Sequence, residues 1–179
     1  MKSKLLLLIA LACLVKAASA QNPTLMPPPD KDPSVGEWLK NFEKSKPVKG
    51  RDCTFVESHL SETVVREGDE LVITERGGPS KWVCPGGDKY NKSYEFKYRF
   101  RCDGNFHPEA HSSTTCKYVA PNILEGETTY KRANVMLHRQ GTIYWKTEIS
   151  ADGTQMTDAQ YDDAGMTKLL NLTVWEKSK

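Results

Sequence analysis

The chain of 179 residues lacks several features that would place it in a large class of proteins. After Val15, no apolar run reaches the roughly 18 residues that a membrane-spanning helix requires, so we expect no transmembrane segment. Neither sign of charge dominates, since 25 lysines and arginines stand against 23 acids. A concentrated basic footprint is therefore missing, which argues against a nucleic-acid partner.

Motifs of enzymes and metal centres are missing as well. The sequence has no G-x-S-x-G elbow, no H-E-x-x-H and no glycine loop that would cradle phosphate. The acids Asp158, Asp162 and Asp163 do not have EF-hand spacing, and no two cysteines form a C-x-x-C pair. His107 and His111 are four residues apart, but the proline between them predicts a loop without a third ligand. We therefore expect no enzymatic activity, no metal and no cofactor.

The N-terminus has the layout of a secretory signal peptide over residues 1–20. Lys2 and Lys4 precede an apolar block that runs to Val15, and Ala18-Ser19-Ala20 has the small-x-small form of a cleavage site. We predict that the protein is secreted and extracellular. The signal holds three lysines and no acids, so its removal changes the formal net charge from +2 to about −1.

The remaining chain divides into a leader and one domain. Residues 21–34, QNPTLMPPPDKDPS, contain five prolines, which exclude regular strand pairing and favour a flexible leader. Residues 35–179 suffice for one domain with a sizeable core and are too few for two.

Four cysteines remain after the signal is removed: Cys53, Cys84, Cys102 and Cys116. An even number in an oxidising compartment predicts two disulfides, for which three connectivities exist. We favour a bond between Cys102 and Cys116, which would clip the loop between two neighbouring strands and leave Cys53 for Cys84.

Two N-glycosylation sequons begin at Asn91 and Asn171. In the predicted last strand, Leu170, Leu172 and Val174 share one face, whereas Asn171 lies on the other. We therefore expect Asn171 to point to solvent.

Turn signals recur at short intervals through residues 35–179, among them Asp103-Gly104-Asn105 and Glu125-Gly126-Glu127. Short segments rich in β-branched and aromatic residues lie between them, which is typical of an antiparallel meander that forms a barrel or a sandwich. The predicted strands are 36–42, 53–60, 69–76, 80–84, 93–102, 114–119, 128–138, 142–150, 154–160 and 166–176. Residues 38–46 have helical as well as strand character.

The segment SYEFKYRFRC has the clearest alternation in the chain. Tyr94, Phe96, Tyr98 and Phe100 lie on one face of this predicted strand, and charged side chains lie on the other. Small-molecule sites are concave and largely apolar, so the four aromatics are candidates for the wall of a ligand pocket. A filled barrel or sandwich core is the alternative. We add Tyr144 and Lys146, from the segment GTIYWKTEIS, to the candidate ligand-binding residues.

The segment VGEWLKNFEK, with its Gly36-x-Trp38 motif, resembles the first strand of lipocalins, and a cysteine-bearing strand follows it as in that family. The closing segment, from Gly141 to Lys177, is similar to the last strands of fatty-acid-binding proteins. The resemblance implies a calycin-type barrel in which Gly36 and Trp38 are structural and Trp38 plugs the closed end.

Two features depart from these families. The arginine that packs across the lipocalin tryptophan has no convincing counterpart. Thr173 and Trp175 stand where fatty-acid-binding proteins have an Arg-x-Tyr pair that holds a carboxylate. An anionic fatty acid would lack its cationic partner unless Lys146 or Arg132 projects inward.

These observations predict an all-β fold, an antiparallel up-and-down barrel of about eight to ten strands. The expected function is that of a secreted carrier for a small hydrophobic ligand such as a lipid or a retinoid, with a protein receptor as a further candidate partner. The alternative is a secreted, immunoglobulin-like β-sandwich that binds another protein.

Overall fold

A computed structural model describes residues 26–46, 53–132 and 140–179. The predicted signal peptide, the start of the leader and part of the predicted strand 128–138 lie outside these residues. The described chain contains thirteen strands and no helix, and therefore no helix that could cross a membrane. The strands are β1 (Gly36–Lys40), β2 (Thr54–Glu57), β3 (Leu60–Glu67), β4 (Glu70–Gly77), β5 (Ser80–Val83), β6 (Lys89–Asn91), β7 (Tyr94–Arg101), β8 (Asp103–Pro108), β9 (Ser112–Ala120), β10 (Ile123–Tyr130), β11 (Gly141–Ile149), β12 (Gln155–Tyr161) and β13 (Leu169–Lys177).

Ten strands form one antiparallel sheet that curls into a nearly closed barrel. Their order in the sheet is β7, β4, β3, β1, β13, β12, β11, β10, β9 and β8. The first strand, β1, pairs with both β3 and β13. The strands at the two ends of this order, β7 and β8, are the edges of the sheet. The predicted antiparallel barrel is confirmed, and the alternative sandwich fold is wrong because the ten strands belong to one continuous sheet.

Two disulfides are present, with the pairing that we favoured from the sequence. Cys102 lies between the edge strands β7 and β8 and bonds to Cys116 in β9, which clips the seam of the barrel. Cys53 and Cys84 bond to each other at the ends of β2 and β5. Two disulfides are consistent with an extracellular location.

The remaining strands, β2, β5 and β6, form a separate three-stranded sheet. This small sheet is connected to the barrel where β3 begins, β4 ends and β7 begins, and it therefore lies at that end of the barrel. The predicted strand 53–60 covers β2 and only the first residue of β3, so most of β3 was not predicted as a strand.

The opposite end of the barrel is covered by the residues before β1. Asp32 is buried and accepts hydrogen bonds from Arg66 of β3 and Tyr118 of β9, strands that are not neighbours in the sheet. Burial opposes ionisation, but hydrogen bonds from Ser34, Tyr118 and Arg66 outweigh it and hold the pKa of Asp32 below its usual value. The last residues of the predicted leader therefore pack with the domain.

Trp38 is fully buried in the core, and its indole N–H donates to the Ser34 carbonyl at 2.8 Å. The Lys177 ammonium lies 5.0 Å from the centre of the Trp38 ring. A lysine from the last strand therefore occupies the position in which the resemblance led us to look for an arginine. Gly36 has a φ of +146°, a conformation that favours glycine.

Three predictions about local structure are wrong. Gly126 is not in a turn but inside β10, where a Cβ atom would lie 2.4 Å from the Trp145 ring, so glycine makes room for the indole. The predicted turn at Gly104 lies in β8, whose pairing with β9 is irregular there. The helical alternative for residues 38–46 fails because β1 extends to Lys40 and turns follow.

We expect that replacing Cys102 and Cys116 together with serine lowers the free energy of unfolding by about 3 kcal/mol, because the bond closes a loop with a sequence separation of 14. Urea denaturation measures the loss. Hydrogen exchange should increase in β7 and β8. The double serine variant of Cys53 and Cys84 is the control, with faster exchange expected in the small sheet. Unchanged exchange in β7 and β8 would contradict a role of the bond at the seam.

Candidate functional site

The barrel encloses a cavity of about 490 Å³, within the range of small-molecule sites. Every barrel strand except β8 contributes to its lining, as does β2 of the small sheet. The strands alternate between inside and outside, so the lining consists mainly of every second residue. Its buried aliphatic part comprises Leu60, Val64, Leu71, Ile73, Leu124, Ile143 and Met156.

Aromatic rings form one wall of the cavity. Tyr94, Tyr98 and Phe100 of β7 line it, and the Phe100 ring centre lies 5.9 Å from that of Trp145 on β11. Tyr98 has 40% of its surface accessible because it borders the hollow, while the surrounding protein raises its pKa through burial. Phe96 is not in the lining and is 61% exposed.

Five carboxyl groups line the cavity: Glu57, Glu62, Glu75, Asp158 and the exposed Glu109, which accepts a hydrogen bond from the Ser112 hydroxyl. Glu57 is neutralised, since it lies 3.0 Å from the Lys40 ammonium and both side chains are almost fully buried. The Tyr94 hydroxyl donates to Glu57 at 2.9 Å. No such ion pair is formed by Glu62, Glu75 or Asp158 within the described part of the chain.

Glu62 is the most isolated of these carboxyl groups. It is 5% exposed, and no described group donates a hydrogen bond to it or forms an ion pair with it. Burial raises its pKa well above the ordinary value of 4.5, and the nearby Asp158 and Glu75 raise it further. The pKa of Glu75 is also raised, chiefly by burial.

Asp158 is held in a fixed orientation by its neighbours. The Thr147 hydroxyl and the Trp175 indole N–H each donate to its carboxylate at 2.6 Å. Burial nevertheless outweighs these hydrogen bonds and raises its pKa.

Two amide side chains add further acceptors to the lining. The Gln160 Oε1 and Asn171 Oδ1 atoms are buried without a hydrogen-bond partner. Buried acceptors of this kind are rare in folded proteins.

The predicted ligand-binding residues do not all reach this cavity. Tyr94, Tyr98 and Phe100 line it, whereas Phe96 and Tyr144 do not. Lys146 borders it, but its ammonium lies 3.3 Å from the Glu148 carboxylate.

Asn171 is oriented differently from our expectation. It lines the cavity together with Thr173 and Trp175, because β13 turns this face inward. The expectation that Asn171 points to solvent is therefore wrong, whereas Asn91 is exposed. Use of the two sequons stays a prediction.

The inward orientation of these carboxyl groups was not predicted from the sequence. A signal was available, because Glu62 lies between Leu60 and Val64 on the inward face of β3, and Glu75 follows Leu71 and Ile73 at intervals of two. An acidic residue that falls on the apolar face of a strand is predicted to point into the interior.

The described residues hold no group of three or more His, Cys, Asp or Glu side chains arranged to bind a metal ion. Asp158 points into the cavity, and Asp163 instead accepts backbone hydrogen bonds from Thr167 and Lys168. His107 lies in β8, where its Nε2 atom is 2.8 Å from Asp103.

Comparison with known proteins gives no family assignment. No family model matches the sequence, and no curated protein does. Among solved structures, a protein described as the REP1-NXSQ fatty acid transporter aligns over 81% of this chain and 96% of its own, with 12% identity and a TM-score of 0.46.

We expect that Glu62→Gln stabilises the ligand-free protein at about pH 8 and leaves its stability unchanged at about pH 4. The raised pKa means that the folded state retains a proton that the unfolded chain has lost, so stability falls as the pH rises from about 4.5 through the folded pKa. Glutamine cannot ionise and removes this contribution. Thermal unfolding across this pH range measures the difference.

The carboxyl groups around Glu62, those of Glu75 and Asp158, also titrate with raised pKa values, so part of the pH dependence remains in the variant. Glu148→Gln, at an exposed carboxyl group, is the matched control. A Glu62→Gln difference that stays constant with pH would contradict the burial of this carboxyl group.

Proposed function

We propose that this protein is a secreted carrier that holds a small hydrophobic ligand, such as a lipid or a retinoid, inside its barrel and releases it chemically unchanged. The observation that carries the proposal is the cavity of about 490 Å³ with its aliphatic and aromatic lining. The signal-like N-terminus and the two disulfides support export.

Burial alone can supply useful affinity in such a cavity. At roughly 25 cal/mol per Å² of apolar surface, a lipid-sized ligand can reach micromolar affinity after the cost of association. The buried aliphatic residues and the rings of Phe100 and Trp145 provide that surface. Charged residues on the outer face of β7 keep the complex in solution. One of them is Glu95, which pairs with Arg76 of β4.

We expect Gln160→Trp to reduce ligand binding at least tenfold, because the indole occupies the space that the ligand requires. Gln160 suits this test because its Oε1 atom has no hydrogen bond to lose. Binding is measured with retinol, a neutral fluorescent lipid, and by mass spectrometry of organic extracts of the natively purified protein. Tyr144→Trp, on the other face of the barrel wall, is the control and should bind as the wild type does.

The proposal fails if the extract contains no small molecule and the folded protein binds no hydrophobic probe. It also fails if Gln160→Trp binds such probes as tightly as Tyr144→Trp does, since binding would then take place outside the cavity.

A further inference from the structure

The charges inside the cavity do not balance. Of the five carboxyl groups in the lining, Glu109 is exposed to solvent and Glu57 has the Lys40 ammonium as its partner. Lys146, at the border, is paired with Glu148. Glu62, Glu75 and Asp158 therefore have no cation of their own among the described residues. Burying a carboxylate without a counter-ion costs free energy. Such a group is therefore either protonated or paired with a cation that binds to it.

The hydrogen bonding of the cavity residues points to the same conclusion independently of their charge. The Glu62 side chain is buried, faces the cavity and receives no hydrogen bond from the described chain. The Gln160 and Asn171 side chains line the same space, and their amide oxygens are buried without donors. Glu62 thus offers an unused acceptor, and its complement is a ligand that donates hydrogen bonds. An ammonium group has donors and no acceptor.

The interior acids are not arranged as a metal site. No set of three or more potential metal ligands is close enough together in residues 26–46, 53–132 and 140–179. Their charge is instead spread over β3, β4 and β12, around a hollow that is much larger than an ion. A charge on an organic molecule fits this arrangement better than a bare cation does.

Aromatic rings border the same space. Tyr98, Phe100 and Trp145 border the cavity, and the faces of such rings attract ammonium groups. The attraction is strongest where water is excluded, as inside a barrel. The aliphatic residues can then bury the apolar remainder of the ligand.

We propose that the ligand of this barrel is an organic cation, a protonated amine or quaternary ammonium with an apolar or aromatic body, and that Glu62 is its principal counter-ion. This inference rests on the proposed carrier function and specifies the chemistry of the ligand. Glu75 and Asp158 add to the negative potential, and an anionic fatty acid is disfavoured by all three groups.

Three probes with the same alkyl chain and different head groups test the proposal: dodecyltrimethylammonium, 1-dodecanol and dodecanoate. Titration calorimetry gives their Kd values below the concentrations at which they aggregate, and the fluorescence of Trp145 and Trp175 reports entry into the cavity. We expect the cation to bind about tenfold more tightly than the alcohol, and dodecanoate to bind most weakly.

Glu62→Gln should raise the Kd of the cation about tenfold and change that of the alcohol by less than about twofold. Glu62 is the best residue to replace because, unlike Asp158, it holds no neighbouring side chain in place. Glu95→Gln is the control, since Glu95 and its partner Arg76 are exposed and do not line the cavity, and it should leave all three Kd values unchanged.

Each outcome separates the two proposals. If the alcohol binds as tightly as the cation and Gln160→Trp abolishes both, the carrier function stands and the cationic ligand is overturned, since the carboxyl groups are then protonated. If Glu62→Gln leaves the affinity for the cation unchanged, Glu62 is not the counter-ion and this inference fails. If neither retinol nor any dodecyl probe binds, the carrier function fails as well.

Discussion

The pairing of β1 with β13 places the two ends of the folded domain side by side, and the interior of the barrel depends on that closure. It leaves β7 and β8 as edges, which the bond between Cys102 and Cys116 holds together. Once the sheet has closed, the period of two in each strand decides which side chains share the inside. Glu62 and Asp158, far apart in sequence, come together for this reason although both are acids.

A polar interior has an energetic cost that a filled aliphatic core would avoid. Unpaired carboxyl groups lose their hydration, and their mutual repulsion adds to the loss, as the raised pKa values of Glu62 and Asp158 show. Proteins tolerate such conflicts between packing and polarity mainly at functional sites. The rest of the barrel offsets the cost through its continuous backbone ladder, its two disulfides and its buried end around Trp38.

The fold class could be predicted from the sequence because alternation and turn residues are local signals. The bond between Cys102 and Cys116 could also be predicted, because the two cysteines are close in sequence and flank one short segment between strands. The separate sheet was not foreseen, since residues 53–60 read as one strand although the chain changes sheets after Glu57. Gly126 was misread because its role depends on Trp145 in the neighbouring strand, which no local pattern reveals.

The candidate site was predicted only in part, for a similar reason. The face of β7 could be read from its aromatic residues, and Tyr94, Tyr98 and Phe100 do reach the cavity. In β13, hydropathy indicated the wrong side, because the apolar face of Leu170, Leu172 and Val174 does not line the cavity and the face that carries Asn171 and Thr173 does. In β11, Tyr144 was selected although the cavity is lined by Trp145, its neighbour on the other face.

Glu57 belongs to the small sheet and yet is held by two barrel side chains, Lys40 and Tyr94. Any displacement of that sheet from the barrel must separate an ion pair that is shielded from water, and shielded pairs are little weakened by salt. If the barrel carries a ligand, as proposed, a ligand that leaves past the small sheet meets a kinetic barrier set by the protein itself. Its residence time along that route would depend on how often these contacts open, in addition to how favourably the ligand is held.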